Sequence, residues 1–343
     1  MERNRSLDIL KALCSFMVVC IHATFAGTWG SVISTLSRVA VPLFFMITGY
    51  YYTHTKEQKR EKKQLIKIFY LVCSSNVLFL VWTLFCCWIK NESIVSALSW
   101  ICSLKAIAYS VIFNISFFQG HLWYLNAVLY VLLIVFLFEK KWNRQKLYPL
   151  IPVLILTNLV LGAYSSVILG APLKKLFTRN FLFIGLPYFL IGDMIYTRKI
   201  KMKTNIALIL AMVFALVSLL ENFLLNTFVS KGLKEFYFGT AFSSIFCFIF
   251  ALQCNVKTSN PCNRLLCHIG AKLSTSIYIL HPIVIAVLGH VVDFLGSFVR
   301  IVYGVYYIQP IVIYTLTVIF AWGLQWSLKS LKAKFCVTQS KNT

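Results

Sequence analysis

The chain has 343 residues, 59% of them hydrophobic, with 29 Phe, 17 Tyr and 8 Trp, and a mean hydropathy of +0.78. A soluble domain cannot hide that much apolar surface, so the water-soluble classes are excluded and lipid is the solvent. Ten acidic against 33 basic residues give a formal charge of +23, yet the cations sit in short loops between apolar runs, which is a membrane-topology signal and not a nucleic-acid surface.

In chain order, ten apolar stretches are predicted to be membrane-spanning helices: 7–26, 37–53, 68–89, 121–138, 147–163, 181–196, 204–226, 236–253, 273–294 and 306–327. Each approaches the length that crosses roughly 30 Å of hydrocarbon, 147–163 being the short one. Segment 93–118 is apolar but broken by Lys105 and Asn114. It reads as re-entrant, as interfacial, or as an eleventh span that would shift the topology. Placing the N-terminus inside puts 23 of the basic residues in cytoplasmic segments and nine outside, with Lys11 within a span.

That bias predicts an all-α, polytopic integral membrane helix bundle of about ten transmembrane helices in the plasma membrane, both termini cytoplasmic. Residues 1–343 are read as a single transmembrane domain, with spans over about 7–330 and a short basic cytoplasmic tail at 328–343. Arg3 and Arg5 precede the first run, and Ala23-Thr24-Phe25-Ala26 is loosely small. His22 interrupts that run and further spans follow, so cleavage as a signal peptide is not expected. The eleven cysteines fall mostly within apolar stretches, which is small-hydrophobe usage and not a disulfide framework.

The groups able to carry chemistry begin in the first span. Lys11 and His22 are eleven residues apart, about three helical turns, so they share a face about 16 Å from one another, with Asp8 near it. Ionisable groups in a membrane helix are costly, roughly 2.5–3.5 kcal/mol each on insertion scales, and usually face a bundle interior or a polar cavity. His22 lies toward the outer side, where Arg38 opens the second span, His121 the fourth and Arg179 the sixth, and where Glu221 nears the end of the seventh. Asp193 lies toward the cytoplasm, and His281 is about mid-depth before Pro282.

Most of these have a plainer reading. Arg38 and Arg179 suit interfacial anchors, and His121 beside Trp123 and Tyr124 suits an aromatic belt. Asp193 suits a pair with Arg198 near a helix end, and His281 suits the carbonyl that Pro282 frees. Cys254, Cys262, Cys267 and His268 lack the tight pairing of zinc ligands, so no metal is expected.

Four segments in order resemble the membrane acyltransferase-3 family, over about residues 5–330. The family carries an Arg, ten residues and a His in its first span; here Lys11 and His22 stand so spaced, behind Leu7-Asp8. Arg38-Val39-Ala40-Val41-Pro42-Leu43-Phe44-Phe45-Met46-Ile47-Thr48-Gly49-Tyr50, His121-Leu122-Trp123-Tyr124-Leu125 and Tyr278-Ile279-Leu280-His281-Pro282 match other family segments. Within the family the chain resembles bacterial cell-envelope O-acetyltransferases and the membrane half of the serine racemases of vancomycin resistance. Arg179-Asn180 and Leu219-Leu220-Glu221 add to the second likeness. Sixteen residues follow the last span, so racemization is not expected of this chain.

The resemblance implies an acyltransferase that moves an acetyl group from acetyl-CoA, as donor substrate, to an envelope glycan, a lipid-linked sugar or another hydroxyl or amine acceptor. It implies His22 as general base, Lys11 as a holder of donor charge and Asp8 as the group that orients Lys11. Arg38, His121, Trp123, Arg179, Glu221, Tyr278 and His281 would bind substrate, and Lys62, Lys63 and Lys67 the coenzyme A diphosphate. Two departures stand out: Lys11 replaces the family Arg and loses its bidentate fork, and Gln64-Leu65-Ile66-Lys67 replaces an Arg-x-x-Arg. The racemase likeness also leaves open a transporter of a serine-like amino acid, and the Lys11 departure leaves open an inactive scaffold.

Overall fold

In the computed structural model the described residues are 4–341, other than 100, 102, 230, 231, 233, 255, 258 and 295–303. Arg3, Lys231 and Arg300, which enter the charge reading, lie outside them. The described residues are mainly helical and contain no strand. The helices are α1 (Arg5–His22), α2 (Gly27–Ser37), α3 (Ala40–Glu57), α4 (Glu61–Lys90), α5 (Ile94–Ser99), α6 (Leu104–Phe113), α7 (Trp123–Phe138), α8 (Leu150–Leu161), α9 (Ser165–Ile168), α10 (Leu186–Thr197), α11 (Thr204–Phe228), α12 (Phe238–Gln253), α13 (Pro261–His268), α14 (Ser274–Phe294) and α15 (Gln309–Lys341).

Each of the ten predicted stretches is helical over most of its length, and among the described residues six helices are long and apolar enough, by length and composition, to cross a membrane: Gly27–Glu57, Glu61–Lys90, Gly120–Phe138, Thr204–Phe228, Pro261–Phe294 and Gln309–Ser330. The others fall short for identifiable reasons. Helix α1 carries Arg5, Asp8 and Lys11 within 18 residues. Helix α8 has 12 residues, about 18 Å at 1.5 Å per residue, against roughly 30 Å of hydrocarbon. Residues 27–36, left outside the predicted spans, form α2 instead. Segment 93–118 holds two short helices of 6 and 10 residues, α5 and α6, and so is not one straight spanning helix.

Side-chain exposure follows the solvent. Helix α4 turns Ile66, Phe69, Tyr70, Val77, Val81, Phe85 and Trp88 outward, and α11 does the same with Ile209, Met212, Leu216 and Phe223. Long apolar helices with outward apolar faces make this a multi-pass membrane protein. Lipid tails are as apolar as these side chains, so helix association there leans on close backbone approach and polar contacts.

Packing divides the chain into two compact units, residues 1–40 with 251–343, and residues 41–250. The first unit has an apolar core of Ala12, Val19, Ala23, Ile269, Leu273, Ile277, Leu280, Ile313 and Ala321. Helix α1 starts on Asn4, whose side chain accepts from the Leu7 amide at 3.1 Å. The five-residue π-helical turn Ile269–Leu273 leads into α14. A Cβ at Gly270 in that turn would collide with the Asp8 carbonyl of α1, so only glycine allows this approach.

The second unit is tied by an equivalent contact. A Cβ at Gly49 of α3 would strike the Phe189 carbonyl of α10, and one at Gly192 of α10 would strike the Met46 carbonyl of α3. Another π-helical turn, Phe181–Gly185, leads into α10. Asn180 caps it, accepting from the Leu182 and Phe183 amides at 3.0 Å each.

Candidate functional site

The first unit gathers five candidates on two helices. Asp8 is buried in α1 and pairs with Lys11, one turn on, at 3.7 Å. Lys11 is 24% exposed, so the pair orients more than it stabilises. Further along α1, the buried Ser15 hydroxyl lies 3.2 Å from the Tyr314 hydroxyl. His22 ends the helix and is exposed. Its ring meets that of the fully buried His281 of α14, with centroids 5.1 Å apart and planes at 45°. Tyr278, one turn before His281, contacts the His281 ring at 6.3 Å. Arg38 follows α2 as its C-terminal cap and is half-buried. An exposed imidazole beside a buried one, on a helix that also carries an oriented cation, suits proton transfer at the helix end.

The second unit brings other candidates together. His121 is buried in a 3-10 turn just before Trp123 and packs edge-on against Phe79 at 5.1 Å. The Arg179 guanidinium lies over the Trp123 ring at 5.6 Å. Glu235 receives Lys175 at 2.9 Å and stands 4.0 Å from Arg179. Buried Asn114 ties the neighbourhood together: its side chain donates to the Trp123 carbonyl at 3.0 Å and accepts from the Phe181 amide at 2.9 Å. A cation over an indole face beside a carboxylate can hold a small polar group. Glu221 caps α12, accepting from the Gly239 amide at 2.7 Å, the Phe238 amide at 3.2 Å and the Tyr164 hydroxyl. Lys62, Lys63 and Lys67 are exposed on the first turns of α4, where the helix dipole adds to their attraction for anions.

The sequence reading missed the largest polar cluster of the second unit. Arg144, in the 3-10 turn Arg144–Leu147, donates from Nε to both Asp193 oxygens at 2.9 and 2.8 Å. Its Nη1 reaches Glu139 at 2.6 Å and its Nη2 the Thr53 hydroxyl at 3.0 Å. Asp193 also accepts from the Tyr148 hydroxyl at 2.7 Å and from Thr53. Glu139 takes Lys56 at 2.7 Å and the Tyr52 hydroxyl at 2.9 Å. Burial alone would raise the Glu139 carboxyl, but donors from Lys56, Arg144 and Tyr52 outweigh it and hold it below the ordinary carboxylate range. The same balance acts on Arg144: burial disfavours its charge, and Asp193 and Glu139 more than restore it.

Asp193 therefore pairs with Arg144 and not with Arg198. Five residues on a 3.6-residue helix place Arg198 about 140° round from Asp193, and its guanidinium lies over the Tyr148 ring at 5.4 Å. The plain reading of His281 also changes. Pro282 frees the carbonyl four residues back, that of Tyr278, whereas His281 Nδ1 lies 3.1 Å from the Ile277 carbonyl. The Cys/His group at 254–268 has no metal-like geometry: no three potential His, Cys, Asp or Glu ligands converge among the described residues.

A family model described as an acyltransferase domain matches residues 4–328. An amino-acid racemase of Enterococcus faecalis is 26% identical over 310 residues, which cover 83% of this chain and 42% of that protein. A serine/alanine racemase of Enterococcus gallinarum is 23% identical over 308 residues, covering 83% of this chain and 41% of that protein. The chain thus spans about two-fifths of the length of these curated relatives. No solved structure matches.

Proposed function

The chain belongs to the acyltransferase family whose domain matches residues 4–328, and from that premise we propose that it moves an acetyl group from acetyl-CoA to a hydroxyl or amine of a cell-envelope glycan. The observation that carries this reading is the exposed His22 at the end of α1, in ring contact with buried His281, on the helix that holds the Asp8–Lys11 pair. The acceptor oxygen bonds to the thioester carbonyl carbon while His22 takes the hydroxyl proton. The carbon–sulfur bond then breaks, and the imidazolium returns that proton to the departing thiolate.

Lys11 lies about three turns from His22, too far to act at the same atom. Its role is to hold donor charge, oriented by Asp8. In the first unit Arg38 and Tyr278 are the acceptor-binding candidates, together with His281. In the second unit these are His121, the Arg179–Trp123 stack and Glu221. Lys62, Lys63 and Lys67 attract the coenzyme A diphosphate. The plasma membrane, with both termini cytoplasmic, is the setting, because 23 of the 33 basic residues then face inward.

Calorimetry on protein in nanodiscs tests the donor half. Micromolar binding of acetyl-CoA is expected, weakened about tenfold or more, 1.4 kcal/mol, by Lys62→Glu with Lys63→Glu and Lys67→Glu. A folded protein that binds no acetyl-CoA at millimolar concentration overturns the reading.

A second reading, suggested by likeness to relatives that act on amino acids such as serine, is the passage of a serine-like amino acid across the membrane. Serine accumulation in proteoliposomes that lack acetyl-CoA would select it.

A further inference from the structure

The second unit holds Arg179 more firmly than a surface cation requires. Asn114, Asn158 and Asn180 are each buried, and each spends its side-chain amide on the backbone around Arg179. Asn158 donates to the Thr178 carbonyl at 2.9 Å, and Asn114 accepts from the Phe181 amide at 2.9 Å. Asn180 donates to the Leu176 and Phe177 carbonyls at 3.2 and 3.0 Å. The Arg179 amide itself donates to the Lys175 carbonyl at 2.8 Å. Buried amides are kept where their hydrogen bonds are met, so the chain is fixed on both sides of Arg179. An interfacial anchor works otherwise: it reaches for water on a flexible stem and needs no fixed backbone.

The guanidinium lies over the Trp123 ring at 5.6 Å, on a buried indole. It carries five N–H donors in a planar fork. Glu235, the carboxylate that pairs with it, stands at 4.0 Å, an ion pair beyond hydrogen-bond distance. Glu235 meets Lys175 more closely, at 2.9 Å. Two cations thus share one carboxylate, and Lys174 and Lys234 flank them in sequence. Arg179 is 32% exposed and Lys175 64%, so a ligand can reach both. The neighbourhood is separate from the Arg144 cluster: α7 begins at Trp123 and ends beside Glu139, and α10 carries Asp193 near its far end.

We infer that Arg179 and Lys175 bind an oxyanion, a carboxylate or a phosphate, on the acetyl acceptor, so that the acceptor is an anionic glycan and Glu235 holds the two cations until it arrives. This rests on the acyl-transfer reading above. A carboxylate or phosphate matches the guanidinium fork, and the fixed backbone lowers the cost of placing it. Glu235 sets selectivity, because a neutral sugar hydroxyl cannot displace a carboxylate from two cations.

The charge of the product tests this. The envelope fraction of expressing cells is labelled from radiolabelled acetyl-CoA, and the labelled product is run on an anion exchanger at neutral pH. Retention is expected. Carbodiimide reduction removes the charge of a carboxylate and mild hydrofluoric acid removes a phosphate, while chloroform–methanol extraction tells a lipid-linked phosphate from one in a polymer. A labelled product that passes through uncharged overturns the inference and leaves acyl transfer intact. Folded protein that transfers no label overturns the acyl-transfer reading, and the inference with it.

The retained fraction, isolated unlabelled, then serves as acceptor for protein purified in dodecyl maltoside, a detergent without phosphate. Arg179→Gln is expected to raise the KM for this acceptor about tenfold to a hundredfold, at unchanged KM for acetyl-CoA. Arg179→Lys keeps the charge and loses the fork, and should fall between that variant and wild type. Lys175→Gln, at an exposed position, should raise the acceptor KM by a smaller factor. Glu235→Gln removes the internal competitor and should lower it about threefold. Wild-type acceptor KM in both Arg179→Gln and Lys175→Gln, or a raised one in Glu235→Gln, overturns the anion site.

Discussion

The Arg144 cluster and the His22–His281 contact divide the polar chemistry of this protein in opposite ways. In the cluster, the buried Arg144 and Asp193 and the nearly buried Glu139 meet hydrogen-bonding partners on several sides: Thr53, Tyr52, Tyr148 and Lys56. Such a network holds helix ends in place and has little left to offer a substrate. The histidine contact joins one buried ring to one exposed ring at the end of a helix. The lesson is that a saturated, buried network marks structure, whereas a titratable ring at the exposed end of a helix, packed on a buried one, is placed to do chemistry.

The comparison breaks most visibly at Asp193. Asp193→Ala leaves the buried Arg144 with Glu139 as its one carboxylate partner and strips the Tyr148 and Thr53 hydroxyls of their acceptor, a loss of about 3–5 kcal/mol, and a large drop in melting temperature and folded yield is expected in detergent. Replacing both Arg144 and Asp193 with apolar residues should cost less than the single change. Equal melting temperatures for wild type and Asp193→Ala would mean the cluster does not hold the unit together.

Acid sharpens the contrast. The Glu139 carboxyl is lowered in the folded protein, so its contribution is whole above its unfolded value of about 4.3 and is lost as pH falls through the lower, folded value. Between about pH 6 and about pH 3, the melting temperature of wild type should therefore fall more steeply than that of Glu139→Gln. Parallel curves would remove Glu139 from the account.

The smallest effect is expected at Lys11, which is partly exposed. Lys11→Arg retains the charge and restores the fork, so label transfer should be kept or modestly raised with stability unchanged. A collapse of transfer in that variant would show that the compact ammonium itself is required.

Much of this was legible in the sequence. Hydropathy located the helices, because lipid exposure imposes long apolar runs, and polar residues inside those runs drew attention to Asp8, Lys11, His22 and His281. What escaped was pairing over distance. Arg144 and Asp193 are 49 residues apart, and Arg144 sits in a basic loop, where by sequence it reads as one more topology charge. A signal was present: a carboxylate inside the apolar run 181–196 requires a cation, and Arg198, five residues on, is on the wrong side of the helix. Helix α2 escaped because Gly27 and Gly30 weaken the pattern. Yet Gly30 is where the Phe25 backbone approaches the helix and a Cβ would collide.

The paired glycines of α3 and α10 have a consequence for entropy. Where Gly49 meets the Phe189 backbone and Gly192 meets the Met46 backbone, the glycines have no side chain to order, so at these two points the close approach costs no rotamer freedom of their own. Thr53 lies one turn beyond Gly49, and Asp193 follows Gly192 directly. The register of their hydrogen bond is thus set by main chain against main chain, a gauge that does not loosen as side chains become more mobile with temperature.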